Sequence, residues 1–205
     1  MGLAPDWDED LRRRLARLPR RTSRALDLRR AAVLVPLSLR DGQLVALFTR
    51  RLDTLAAHPG QVSFPGGSID EGEDARGAAL READEEVGLP PALVEPLGLL
   101  HDMETSSGFV LTPVVAHVRS EVELRLTPAE VARAFHAPLD ALARRLVMRS
   151  LSHAGRTWQV PFFDWDGETI WGATGRVLLD LLKLLELVPG DAPTPPWLAH
   201  EDEAR

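Results

Sequence analysis

Gly67-Ser-Ile-Asp-Glu-Gly-Glu73-Asp-Ala-Arg-Gly-Ala-Ala-Leu-Arg81-Glu82-Ala-Asp-Glu85-Glu86-Val-Gly88-Leu89 holds the pattern from which the rest of this chain is read. Ala75 to Val87 has helix-forming composition and no proline. Asp74 suits the N-cap, Gly88 suits a left-handed C-cap, and Pro90 and Pro91 forbid continuation. At about 100° per residue, Ala79, Leu80, Ala83 and Val87 share one arc. Glu82, Glu85 and Glu86 fall on the neighbouring arc, because residues three and four apart stack on a helix. Three carboxylates within one turn repel one another unless a cation neutralises them. Their hard oxygens favour Mg²⁺ or Mn²⁺ over thiophilic metals. Arg81 precedes Glu85 by four residues, so an ion pair can orient that carboxylate. Gly66 and Gly67 let the backbone turn and approach a metal or phosphate closely.

The spacing resembles the Nudix box: Gly, five residues, Glu, seven residues, Arg-Glu, two residues, Glu-Glu, one residue, Gly. Just upstream runs Thr49-Arg-Arg51-Leu52-Asp-Thr-Leu55-Ala-Ala-His58-Pro-Gly60-Gln61-Val-Ser-Phe64-Pro65-Gly66-Gly67. This looks like the signature of one Nudix subgroup, the coenzyme A pyrophosphatases, with Leu52 standing where that subgroup usually has Ser. Thr105-Ser-Ser-Gly108-Phe109-Val-Leu-Thr112-Pro113 and Ile170-Trp171-Gly172-Ala-Thr174 resemble the subgroup too. The matches together span about residues 32 to 180.

The resemblance implies an α/β/α Nudix sandwich with a mixed central sheet in a single α/β domain. It also implies metal-dependent hydrolysis of the diphosphate of coenzyme A or acyl-coenzyme A, giving 3′,5′-ADP and (acyl-)4′-phosphopantetheine. Glu82 and Glu86, one turn apart, are the first-choice metal ligands. Glu85 is a third ligand or the base that takes the water's proton, and the Gly67 carbonyl completes the shell. The catalytic set is thus Glu82, Glu85 and Arg81, with Glu73 holding Arg81 or the loop. The base can also lie outside the box, where Glu104 and Glu130 are candidates. Arg51, His58, Gln61, Gly108 and Phe109 are the candidate substrate-binding residues. His58 and Gln61 read equally well as loop and turn residues. Phe109 and Trp171 read as core before ligand stackers. The same box suits ADP-ribose, a nucleotide sugar or a dinucleoside polyphosphate, and a non-catalytic ligand-sensing module is a rival from another class.

Composition narrows the partners. The 205 residues carry a formal charge of −7, which argues against nonspecific nucleic-acid binding. The Arg-rich segment from Arg12 to Arg30 opposes that trend, as a solvated face or as a contact for an anion. There is no cysteine, so disulfides, zinc thiolates and a thiol nucleophile are excluded. The N-terminus is acidic, and no run approaches the ~20 apolar residues needed to span a bilayer. The expectation is a cytoplasmic enzyme of a small-molecule diphosphate, with no membrane partner and a homodimer left open.

Along the chain, residues 1–30 form a charged N-terminal segment, helical over 7–30 with a break at Pro19. Residues 31–188 form the Nudix domain and 189–205 a loose Pro-rich tail. Strands are expected over Ala31–Leu39 and Leu44–Thr49, joined at Asp41-Gly42, and over Val94–Leu100, Phe109–Val118 and Thr157–Trp165. Thr127-Pro128 looks like a helix start, Ala134–Leu146 is mixed, and Ala173–Leu187 is an apolar helix.

Overall fold

The computed structural model describes residues 6–55, 58–153 and 156–192. Ala56 and Ala57 of the upstream motif, the first five residues and most of the Pro-rich tail lie outside that set. The chain opens with helix α1 (Trp7–Arg17). Strand β1 (Arg29–Arg40) then pairs antiparallel with β2 (Gln43–Arg51) through a tight turn. Asp41 and Gly42 both sit at positive φ, 50° and 72°, the conformation of a primed hairpin turn that matches strand twist. Short strands β3 (Val62–Ser63) and β4 (Gly66–Ser68) lead into helix α2 (Ala75–Val87). There follow β5 (Val94–Leu99), β6 (Met103–Glu104), β7 (Phe109–Val118) and β8 (Val131–Pro138). The chain continues with α3 (Leu139–Arg144), β9 (Leu146–His153), β10 (Arg156–Trp165), β11 (Glu168–Ile170) and α4 (Gly172–Leu184).

The main sheet runs β3-β2-β1-β7-β5, with β4 also on β1, β6 on β7 and β8 on β2. β1 and β7 are parallel and every other pair is antiparallel, so the sheet is mixed. Alternation along β1 sends Ala32 and Leu34 to one face and Val35 and Leu37 to the other. The first face meets α2 through Ala78, Ala79, Ala83 and Val87, all fully buried. Three alanines at that contact let the helix lie close to the sheet, which sets the depth of its carboxylates. The second face meets Leu11 of α1 and Leu178, Leu181 and Leu182 of α4. This is the expected α/β/α sandwich in one α/β unit, with β9–β10–β11 as a separate small sheet beside it. No helix among the described residues is long and apolar enough to cross a membrane.

Three local expectations are corrected. The N-terminal helix stops at Arg17, at the break expected before Pro19, and does not resume towards residue 30. Leu18 takes an extended conformation before Pro19, because proline disfavours helical backbone in the residue ahead of it. The chain then lies against 100–104, where Asp102 N–H donates to Arg21 O at 2.9 Å and Ser23 Oγ bonds Glu104 at 2.7 Å. The helix start at Thr127 is instead a single turn that feeds β8. Glu130 N and Val131 N both donate to Thr127 O, while Thr127 itself bonds the end of α2 through Glu85 O and Glu86 O. That anchors Thr127 to the end of α2, and Val131 and Phe135 bury by pairing with β2. The last helix ends at Leu184, short of residue 187.

Candidate active site

Helix α2 has the termini its sequence requires. Asp74 Oδ1 accepts from Gly77 N at 2.8 Å, and Gly88 caps the other end at φ 65°. Between them the three box glutamates occupy different depths. The Glu86 residue is 6% exposed, the Glu82 side chain 19% and the Glu85 side chain 60%. Two carboxylates therefore face inward towards the glycine bend and the third faces water.

The bend is built to meet them. A Cβ on Gly66 would lie 2.3 Å from Ala32 O and 2.6 Å from Val33 Cα, so only glycine lets β4 pass that close to β1. From there Gly66 N donates to Glu86 Oε2 at 3.3 Å. The Glu82 carboxylate lies directly on Gly67, where a Cβ would meet Oε1 at 2.5 Å.

Arg81 organises the rest. Its guanidinium reaches Glu73 at 3.0 and 3.2 Å, Glu82 at 2.9 Å, Glu85 at 3.2 Å and the Ser68 carbonyl at 3.0 Å. Glu73 and Ser68 fix the guanidinium from the loop side, which leaves it rigid against the glutamates. Arg81 holds the Glu73 carboxyl below its usual range, and Glu73 in turn raises the affinity of Arg81 for its proton. The carboxyls facing the bend move the other way. Burial lifts Glu82 above the ordinary value, against the pull of Arg81. Burial pushes Glu86 up to about 7, opposed by the Gly66 N–H and reinforced by the Glu82 charge. Arg51 acts to lower the Glu86 proton affinity, and Glu130 to raise it. The side chains of Arg51 and Glu130 thus lie within electrostatic reach of the box.

The other sequence candidates fall into distinct places. Arg51 ends β2, and its Nε is buried with no hydrogen-bond partner among the described residues. His58 and Gln61 bond each other, Nδ1 to Oε1, at 2.9 Å. His58 turns the loop at φ 53°, and Gln61 O accepts from Arg51 N at 3.0 Å. The pair therefore sits beside Arg51. Glu130 is exposed on the turn before β8, tied by its carbonyl to Leu52 N at 3.0 Å. Glu104 is engaged by Ser23. Gly108, at φ 84°, turns β6 into β7, and Phe109 opens β7. In register, Phe109 pairs with Arg29, and Gly67 pairs with Ala32 on the other side of β1. Three residues of strand, about 10 Å, separate the two positions along β1. Trp171 is not core: it is 41% exposed and stacks on Phe162 at 5.6 Å.

Two features had no signal in the sequence. The Ser68 carbonyl that anchors Arg81 is a backbone group, so no residue type announces it. The Arg29 guanidinium lies 4.1 Å from the Phe109 ring centroid, a contact between residues 80 apart in the chain. Another carboxylate and imidazole group, Asp8, Glu95 and His117, is close enough to hold an ion. It fastens α1 to the sheet instead: Arg12 and Arg119 already flank Glu95, and Asp8 bonds His117 at 3.0 Å.

Comparison with known proteins finds relatives in sequence and in fold. The sequence model of the NUDIX domain matches residues 28–165. A Nudix hydrolase called NudL from Enterobacter sp. (strain 638) is 35% identical over 178 residues, covering 83% of this chain and 90% of the relative. NudL of Photorhabdus laumondii is 36% identical over 162 residues, covering 78% and 86%. Among solved structures, a MutT/nudix family protein from Enterococcus faecalis superposes with a TM-score of 0.53 at 15% identity, over 90% of this chain and 81% of that one. That likeness concerns the fold alone.

Proposed function

We propose that this chain, which belongs to the Nudix family and is a hydrolase of phosphorus anhydrides, cleaves the diphosphate of coenzyme A or acyl-coenzyme A. The products are then 3′,5′-ADP and 4′-phosphopantetheine or its acyl form. The observation that carries the substrate is the loop from Thr49 to Gly67, which places Arg51, His58 and Gln61 immediately before the glycine bend. Arg51 has a buried guanidinium nitrogen with no acceptor among the described residues, and a diphosphate oxygen supplies one.

Nudix hydrolases generally use divalent cations, and the donor set here fits one. The candidate ligand atoms at the bend are hard oxygens, and the Glu82 carboxylate occupies the space that a side chain on Gly67 would fill. Burial of Glu86 beside Glu82 leaves charge that Arg81 and Arg51 offset only in part. Glu82, Glu86 and the Gly67 carbonyl are the proposed ligands of Mg²⁺ or Mn²⁺, with Glu85 as a further ligand or as the base. A bound cation lowers the repulsion between the diphosphate and its nucleophile and stabilises the leaving phosphate. Arg81 holds the Glu82 and Glu85 carboxylates in place. Arg51 binds the diphosphate. Glu85 or Glu130, both open to solvent, accepts the proton of the attacking water. Gly108 and Phe109, at the next turn of the sheet edge, contact the remainder of the substrate.

The deciding experiment is a panel of coenzyme A, acyl-coenzyme A, ADP-ribose, a nucleotide sugar and a dinucleoside polyphosphate, with Mg²⁺ and with Mn²⁺, products identified by mass. Release of 4′-phosphopantetheine at the highest kcat/KM is expected. Preferential cleavage of ADP-ribose or another member overturns the coenzyme A reading and leaves the hydrolase. Arg51→Ala is expected to raise KM for coenzyme A roughly tenfold or more, the scale of a lost hydrogen bond to a charged group. An unchanged KM removes Arg51 from the substrate site.

A further inference from the structure

A cavity of about 380 Å³ opens on the α2 side of the sheet, at the end away from the glycine bend. Its size is that of a small-ligand site. Leu47 and His136, register partners on β2 and β8, form part of its wall. Leu47 lies four residues up β2 from Arg51, about 13 Å along the strand, so this cavity is separate from the diphosphate site. Leu39, Leu89 and Val118 supply further apolar wall. Arg40, the last residue of β1, and His136 supply the polar side.

Two donors on the polar side have no acceptor bonded to them. Arg40 and His136 have no hydrogen-bond or ion-pair partner among the described residues, although they are close enough for the Arg40 charge to act on the imidazole. Burial and Arg40 together bring the His136 imidazole down to about 4, so at neutral pH it is uncharged and offers one N–H. The other charged or titratable groups around the cavity are accounted for. His117 is bonded to Asp8, Arg119 is paired with Glu95, and Glu121 is exposed. Glu121 disfavours a multiply charged anion and leaves room for a single negative charge.

We propose that this cavity is a second ligand site that takes a monocarboxylate with a short alkyl chain. The carboxylate lies between Arg40 and His136, and the chain lies against Leu39 and Val118. A guanidinium and a neutral N–H together satisfy the two carboxylate oxygens. The alkyl chain covers Leu39, whose side chain is otherwise open to water. This site does not depend on which diphosphate the enzyme cleaves.

Hexanoate is the probe, titrated into the full chain while the His136 imidazole is followed by NMR. A saturable shift is expected, with the His136 pKa rising by about one unit as the anion favours the charged ring. Arg40→Gln is expected to weaken hexanoate about tenfold while diphosphate hydrolysis continues at the wild-type rate. Val118→Trp, which fills the cavity, is expected to abolish the shift. Acetate and hexanol, each lacking half of the recognised chemistry, are expected to bind at least tenfold more weakly. A flat titration, an equal response in either variant, or hexanol binding as tightly as hexanoate overturns the proposal.

Discussion

Glu86→Gln is expected to lower kcat/KM for Mg²⁺-dependent diphosphate hydrolysis on the order of 10³-fold, the scale of several kcal/mol of lost charge stabilisation. The same substitution is expected to make the cation-free protein more stable at pH 8. Both effects follow from one carboxylate that is nearly sealed from water and faces a second one. Glutamine has the same shape and keeps an oxygen for the Gly66 N–H, so the packing of α2 is retained. It lacks the charge that a cation requires and that burial penalises. A variant with near-normal turnover, or one less stable than the parent at pH 8 without cation, removes Glu86 as a ligand.

The pH dependence follows with a definite sign. The folded-state pKa of Glu86, about 7, lies above the ordinary carboxyl value of 4.5. The folded protein therefore binds this proton more tightly than the unfolded chain does. That contribution to stability is full below pH 4.5 and is lost as pH rises through 7. Its size for the cation-free protein is on the order of 3 kcal/mol. A cation competes with the proton for the same oxygens. Mg²⁺ is accordingly expected to raise Tm more at pH 8 than at pH 6, and Glu86→Gln to flatten the difference. A Mg²⁺ effect independent of pH in the parent protein contradicts this coupling.

The parts of this molecule that were legible in the sequence are those where local chemistry determines local structure. Asp74 and Gly88 bound α2 because one supplies a capping oxygen and the other tolerates left-handed backbone. Asp41-Gly42 closes the first hairpin for the same reason. The sandwich followed from the box and from apolar runs such as 109–118. Thr127-Pro128 misled because the residues that follow pair with β2 from Val131 onward, which only tertiary contact reveals. Strand β9 gave no periodic signal, since Val147, Arg149, Ser150, Leu151 and Ser152 are all exposed. Trp171 reads as core from its size, yet its ring lies on Phe162 at the surface. At the candidate site, the spacing of the three glutamates was visible while their unequal depth was not. Depth comes from the alanines that bring α2 onto β1, a property of packing and not of the motif.

Adjacent glycines offer the sharpest separation of site from scaffold. Gly67→Ala is expected to leave stability within about 1 kcal/mol of the parent, since removing a glycine restricts the unfolded chain. The atoms its Cβ meets are the movable end of Glu82, at 2.5–2.7 Å. That carboxylate has to leave its position, and Mg²⁺ affinity and turnover are expected to fall roughly 10–100-fold, as for disturbed metal surroundings. Gly66→Ala meets Ala32 O at 2.3 Å and Val33 Cα at 2.6 Å, atoms of β1 that cannot yield without shifting the strand. Its expected effect is loss of stability, about 1–3 kcal/mol as for overpacking. The pair is checked by urea denaturation alongside Mg²⁺ titration and steady-state kinetics. If Gly67→Ala binds Mg²⁺ and turns over like the parent, the Glu82 carboxylate is not where the cation is held. If it instead unfolds as readily as Gly66→Ala, the bend is scaffold at both positions, and its contact with Glu82 has no separate catalytic use.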